Sequence, residues 1–285
     1  MPTATMRTVK PIDAASDGGV SLAFRNHWPE YLMEAAALGI FMISACIFTV
    51  LLEHPACPVH QAIENGDLRR VIAGVAMGLT AIGIFFSPWG KRSGAHMNPC
   101  VTISFLLLGK IQPWDACFYV AAQFAGGILG VGVSELIVGL PLRHTAVNYA
   151  VTTPGYAGVA VALIAEALIS AGMMAAVLWT SNSRRWSRYT PILAGVLVAA
   201  YISIEAPLSG MSMNPARTVG SGLFARDWTA LWIYFAGPAL GMLGAAQLYR
   251  ARRGIHRVYC AKLHHHNAQR CIFNCNYPQL NAGRD

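Results

Sequence analysis

Charge is what this chain has least of. Only 12% of its 285 residues are Asp, Glu, Lys or Arg, against 55% hydrophobic, about half the charged share of a soluble domain. A soluble protein of this make-up would expose wide apolar patches, so a membrane protein is the better reading. Acidic residues are the scarcer sign, 13 against 21 Lys and Arg. In a soluble protein the resulting charge of +8 would point to nucleic acid. In a membrane protein it marks the cytoplasmic side instead, and no nucleic-acid partner is expected. A secreted disulfide framework is missing too. Cys46 and Cys117 sit inside apolar runs, Cys57 stands alone, and Cys260, Cys271 and Cys275 cluster near the end. No apolar core follows a short basic start, so no cleavable signal peptide is expected. The sequence contains no catalytic constellation and no nucleotide-binding glycine loop, which argues against an enzyme.

Long apolar runs are abundant. Six approach or exceed the ~18 residues that a bilayer crossing needs: Tyr31–Leu52, Val71–Pro88, Ala116–Val138, Ala157–Trp179, Tyr189–Leu208 and Thr229–Tyr249. Two shorter runs, Asn98–Gly109 and Asn214–Phe224, cannot cross. Lys and Arg set the orientation. With the N-terminus inside, the inner segments hold Arg7, Lys10, Arg25, Lys91, Arg92, Lys110, Arg184, Arg185, Arg188 and a basic tail. The outer ones hold Arg69, Arg70, Arg143 and Arg226. Both termini are therefore expected in the cytoplasm.

One decapeptide occurs twice. "SGAHMNPCVT", Ser93 to Thr102, returns 116 positions later as "SGMSMNPART", Ser209 to Thr218. The halves correspond beyond it. Glu34 lies in the first span and Glu166 in the fourth, and at a shift of 114 Trp114 meets Trp228, Gly127 meets Gly241 and Gly130 meets Gly244. Each half is three spans with one short helix between the second and third. Three is odd, so the second half enters the membrane inverted, and a shared site falls at the midplane. Asn is a good N-cap and Pro is tolerated at the first helical position, so short helices start at Asn98 and Asn214. The Ser-Gly before each suits non-helical backbone, which membrane depth tolerates only beside a wet cavity. Two positive dipole ends then converge with two Asn amides, a device that passes neutral hydrogen-bonding solutes and repels cations. Arg217 adds a permanent charge on the outer side, where the first copy has Val101.

On "SGAHMNPCVT", "SGMSMNPART", Glu34, Glu166 and Gln123 the chain resembles the aquaporin family, the water and small-solute channels of the major intrinsic protein class, over about residues 30–250. The resemblance implies an all-α fold of six tilted transmembrane helices and two half-helices in an inverted repeat. It implies one pore per subunit in a homotetramer, with no required cofactor. The pore motifs are then Asn98, Pro99, Cys100, Asn214, Pro215 and Ala216. Carbonyls of Gly94, Ala95, His96, Gly210, Met211 and Ser212 form an acceptor ladder, and Met77 (or Gly78), Ile202, Met211 and Arg217 form the narrow filter. Met and Ile there make a wider, greasier gap, so the passive solutes are water, glycerol, urea or ammonia. Cys100 stands where the family has Ala, which leaves pore width and mercurial sensitivity open.

Other groups carry two readings. Glu34 and Glu166 are a proton relay of a coupled transporter, or acceptors for the irregular backbone beside each half-helix; symmetry favours the second. His96 is a pH gate or a pore wall, and the wall is favoured. Beside the coupled transporter, a second rival is a non-conducting membrane interaction protein. The expected organisation is a cytoplasmic segment 1–29, a channel domain 30–250 (repeats about 30–140 and 155–250) and a soluble basic tail 251–285. The expected location is the plasma (inner) membrane. In the tail Cys260, His264, Cys271 and Cys275, at helical gaps of four, are candidate zinc ligands. A basic tail on anionic lipid is the alternative.

Overall fold

The computed structural model describes residues 19–282. Residues 1–18, with Arg7 and Lys10, lie outside the described residues, as do 283–285 at the end of the tail. Among the described residues there are eleven α-helices. They are α1 (Gly19–Glu53), α2 (Pro58–Ala62), α3 (Gly66–Phe86), α4 (Pro88–Ser93), α5 (Pro99–Leu107), α6 (Pro113–Val138), α7 (Gly158–Ser181), α8 (Thr190–Ser209), α9 (Pro215–Ala225), α10 (Ile233–Arg253) and α11 (Tyr277–Ala282).

Six of these are long, as the apolar runs required. Five are long and apolar enough to cross a membrane by length and composition: α1, α3, α6, α7 and the Ser187–Ser209 segment. The sixth, α10, is diluted by Gly237, Pro238, Gly241 and Gly244 and ends in Arg250, Arg252 and Arg253. The first helix starts at Gly19, well before the apolar run. Its 35 residues reach about 52 Å at 1.5 Å each, more than the ~30 Å hydrocarbon layer. The polar extension is stitched down: His27 Nδ1 and Tyr31 Oη reach Asp115 at 2.8 and 2.6 Å, and Arg92 donates to buried Glu30 at 2.9 Å.

Packing follows the internal repeat. Within the halves α1 lies on α6 and α7 on α10; between them α3 lies on α8, α6 on α9 and α10 on α5. Each half-helix is thus held by the third span of the other half, so neither half buries its apolar faces alone. Small residues allow the close approaches. A Cβ on Gly126 would stand 2.1 Å from the Ala35 carbonyl oxygen, and one on Gly241 would stand 2.1 Å from that of Ala167. Ala35 and Ala167 follow Glu34 and Glu166, so the structural partners are Gly126 and Gly241, a shift of 115. Tyr119 and Tyr234 repeat this offset, donating to the Ser93 and Ser209 carbonyls at 2.7 Å each. The shift of 114 is therefore one residue out, because α6 starts directly at Pro113 whereas α10 follows a run of turns through residues 228–232. The second run is also divided. Helix α3 ends at Phe86, and Ser87 caps α4 by accepting from Gly90 N at 3.0 Å. Its counterpart α8 runs unbroken to Ser209 with Pro207 inside it.

Candidate functional site

The two half-helices meet at their N-termini. Asn98 and Asn214 are both extended N-caps; Asn98 Oδ1 accepts from Cys100 N at 2.9 Å, and Asn214 Oδ1 from Ala216 N and Arg217 N at 3.0 and 3.3 Å. Pro99 and Pro215 take the first helical positions, where no backbone donor is lost. Each Asn amide also crosses to the other half: Asn98 Nδ2 donates to Met213 O, and Asn214 Nδ2 to Met97 O, both at 2.6 Å.

The segment before each cap is left-handed in the same places. Gly94 and Gly210 have φ of 93° and 80°, Ala95 and Met211 of 51° and 52°, Met97 and Met213 of 50° and 54°. Positive φ at four non-glycine residues is unfavourable and persists only where the surroundings fix it. Here the buried acids supply that fixing. Glu34 Oε2 accepts from Met97 N at 3.0 Å and from Gln123 Nε2 at 3.3 Å. Glu166 accepts from Ser209 Oγ, Ser212 N and Met213 N, each at 2.7 Å. Both carboxylates accept from several structural donors, which favours their role as backbone clamps over a proton relay.

A cavity of about 360 Å³ runs past these caps. Its wall includes Met77, Ile202, Met211 and Arg217 together with Asn98 and Asn214, and also His96 and Leu263. All four expected filter positions therefore share one cavity, with Met77 rather than Gly78 on the wall. Arg217 Nη1 is buried without a hydrogen-bond partner in the protein, a donor left for whatever enters. Of the expected carbonyl ladder, Gly210, Met211, Ser212 and His96 border the cavity, whereas Gly94 and Ala95 do not. Pro99, Cys100, Pro215 and Ala216 are also off the wall. Cys100 is buried, and its residue class faces the hydrophobic core.

The tail departs from expectation. Residues 258–276 form no α-helix and are not a free soluble extension; they fold back onto the channel helices beside His96, and Leu263 reaches the cavity wall. Leu263 N donates to Gly94 O at 3.3 Å, Asn274 N to Lys110 O at 3.0 Å, and Tyr259 N to Asn182 Oδ1 at 2.7 Å. Phe273 stacks on the His96 ring at 5.4 Å. His96 Nδ1 meets Thr102 Oγ1 at 3.0 Å and Nε2 meets Ala261 O at 2.9 Å. A carbonyl only accepts, so Nε2 carries the proton. With both nitrogens engaged, His96 is a packed wall residue here.

The candidate ligand set also changes. Cys260, His265, Cys271 and Cys275 place their ligand atoms within 4.8 Å of one another. His265, not His264, joins the thiols, because without a helix the gap-of-four logic fails. His264 turns away to bond His266 O at 3.3 Å and to lie edge-on to Phe86. Burial pushes the Cys260 thiol well above its ordinary range, while hydrogen bonds from Cys260 and Cys271 hold Cys275 below it.

Comparison with known proteins agrees with this architecture. The family model described as "Major intrinsic protein" matches residues 23–249. Aquaporin NIP2-2 of Zea mays is 34% identical over 220 residues, covering 74% of this chain and 71% of that protein. Aquaporin A of Dictyostelium discoideum is 29% identical over 204 residues, covering 68% and 70%. Among solved structures, the aquaglyceroporin from Plasmodium falciparum superposes with a TM-score of 0.65 over 78% of this chain and 95% of that one. At 16% identity, that match speaks for the fold alone.

Proposed function

The chain belongs to the major intrinsic protein family, and from that premise we propose how its pore works. It is a passive membrane channel for water and small solutes, not an enzyme, and its permeation needs no cofactor. The observation that carries the mechanism is the single cavity holding both Asn caps and the unpartnered Arg217 donor. Each Asn amide uses one N–H across the interface; its second N–H is free to hold a solute oxygen at the centre. A water so held accepts from the protein and cannot pass a proton along the file. The two helix N-termini raise the barrier to hydronium and other cations at the same place.

Selectivity rests on Met77, Ile202, Met211 and Arg217. Three flexible or apolar side chains and one fixed donor suit a neutral solute with a hydroxyl, amide or amine group: glycerol, urea or ammonia beside water. The protein assembles as a homotetramer in the plasma (inner) membrane with both termini in the cytoplasm. The excess of Lys and Arg on the inner segments supports this orientation, and three of the four outer cations are paired. Arg69 pairs with Glu53 at 3.3 Å, Arg70 with Asp67 at 2.9 Å, and Arg143 with Glu135. The tail cluster, with His265 in place of His264, is suited to a structural zinc ion.

Stopped-flow light scattering on proteoliposomes, challenged in turn with sucrose, glycerol and urea gradients, tests this function. Flux of water and at least one small neutral solute above that of empty vesicles is expected. Vesicles no more permeable than protein-free ones, at verified insertion and after removal of bound metal, would contradict it.

A further inference from the structure

We infer that a soft divalent cation of the zinc class, bound by Cys260, His265, Cys271 and Cys275, fastens the tail as a plug over one mouth of the pore. This rests on the channel function proposed above and adds its regulation.

Two sets of contacts bring the ligands and the pore into one unit. On the ligand side, Cys260 Sγ and Cys271 Sγ are 3.5 Å apart, and His265 Nε2 and Cys275 Sγ are 3.0 Å apart. A tetrahedral zinc site with bonds of 2.0–2.3 Å has ligand–ligand edges of about 3.5–3.8 Å, so small shifts accommodate an ion. Three thiols and one imidazole are a closed structural set with no open position for catalysis. His265 is further oriented by stacking on Tyr277 at 4.1 Å, and Tyr277 Oη meets Ser187 Oγ at 3.0 Å.

Charge gives an independent indication. Lys262 is 2% exposed, between the ligands in sequence, and forms no ion pair with a carboxylate among the described residues. Its ammonium is held by the carbonyls of Gln269 and Arg270 at 3.1 and 2.7 Å. A buried ammonium needs an opposite charge nearby. Zinc with three thiolates and one neutral imidazole carries a net charge of −1 and would supply it.

On the pore side, the same short segment reaches the cavity wall. Leu263 stands on the cavity wall three residues after Cys260. Phe273, between Cys271 and Cys275, lies over His96 and against Gly94, where an added Cβ would come within 2.8 Å of its ring. Ala261 O takes up Nε2 of His96, which is on the cavity wall, and Leu263 N donates to Gly94 O beside it. Without the ion, the four ligands close no loop, and a stretch with no helix or strand of its own is held only by its loop contacts to Gly94, Lys110, Asn182 and His96. Binding the ion shuts the pore; losing it opens the pore.

The test uses full-length protein in proteoliposomes. Metal is quantified by mass spectrometry, and water permeability is followed with and without a zinc chelator present on both faces. The account expects about one zinc per chain, lost in Cys271→Ser and Cys275→Ser and retained in His264→Ala. Chelation or Cys271→Ser is expected to raise permeability by about tenfold, within the usual range of coupling between sites. Phe273→Ala, which touches no ligand, is expected to raise permeability while zinc stays bound. Purified protein without stoichiometric zinc would overturn the inference. So would permeability that is equal with zinc bound and removed and well above that of empty vesicles in both states. A pore that stays closed after zinc is gone and Cys275 has become reactive to maleimide would instead overturn the channel function itself.

Discussion

Asn98 and Asn214 hold each other's loops: the amide of each donates at 2.6 Å to the carbonyl just before the other. The two halves of the chain, 116 residues apart at this point, are therefore joined by a reciprocal pair of hydrogen bonds, one buried and one part-buried. Asn214→Asp keeps the cap acceptor for Ala216 N and Arg217 N but loses the donor to Met97 O. Such a loss leaves a buried acceptor unsatisfied and costs about 1–3 kcal/mol. Thermal melting in detergent should show a clear fall, and an unchanged midpoint would contradict the pairing.

The acids are clamps. Glu166→Leu strips the acceptor from Ser209 Oγ, Ser212 N and Met213 N, at about 1–3 kcal/mol for each donor left unpaired. Little folded protein should survive size-exclusion chromatography. Glu34→Gln retains an acceptor and should fold, with solute flux as indifferent to an imposed pH gradient as in the unaltered protein. Uphill solute uptake driven by that gradient, abolished by Glu34→Gln, would restore the transporter alternative.

Glycines in one helix class should differ sharply. Gly126→Ala and Gly241→Ala each drive a methyl to 2.1 Å from a neighbouring carbonyl oxygen, whereas a Cβ at Gly244 meets nothing within 4 Å. The first two force helices apart, a change that costs about 1–3 kcal/mol or more through overpacking. Gly244→Ala should melt like the unaltered protein. Equal behaviour of all three would contradict the packing.

Arg217 guards the cavity. At about 4 Å and an effective dielectric of about 20, a fixed unit charge opposes a passing cation by about 4 kcal/mol. Arg217→Val should therefore raise proton or cation leak at least about tenfold, read with a pH-sensitive dye inside vesicles, while water flux persists. An unaltered leak would remove Arg217 from the filter.

Much of this site was legible in the sequence because its logic is local. Asn-Pro announces a capped helix, and each of Glu34 and Glu166 is explained by the loop it serves. What was not legible depends on distance or on register. The correspondence of Tyr119 with Tyr234 was hidden by a one-residue difference in how α6 and α10 begin. Nothing in the spacing of Phe273 or Ala261 points to His96, some 165 residues earlier for Ala261. The candidate ligand cluster differs from the expected set at one position because periodicity assumes a helix. In a loop, side-chain direction follows the turns, and His265 rather than His264 faces the thiols.

The most direct test of the central claim is the temperature and gradient dependence of water and glycerol flux through metal-stripped protein in sealed vesicles. A conduit lined by Asn98, Asn214 and Arg217 should pass both solutes downhill, with a weaker temperature dependence than the bare bilayer, no saturation, and no accompanying proton current. Flux that saturates, needs a proton gradient, or carries protons with it would contradict the account.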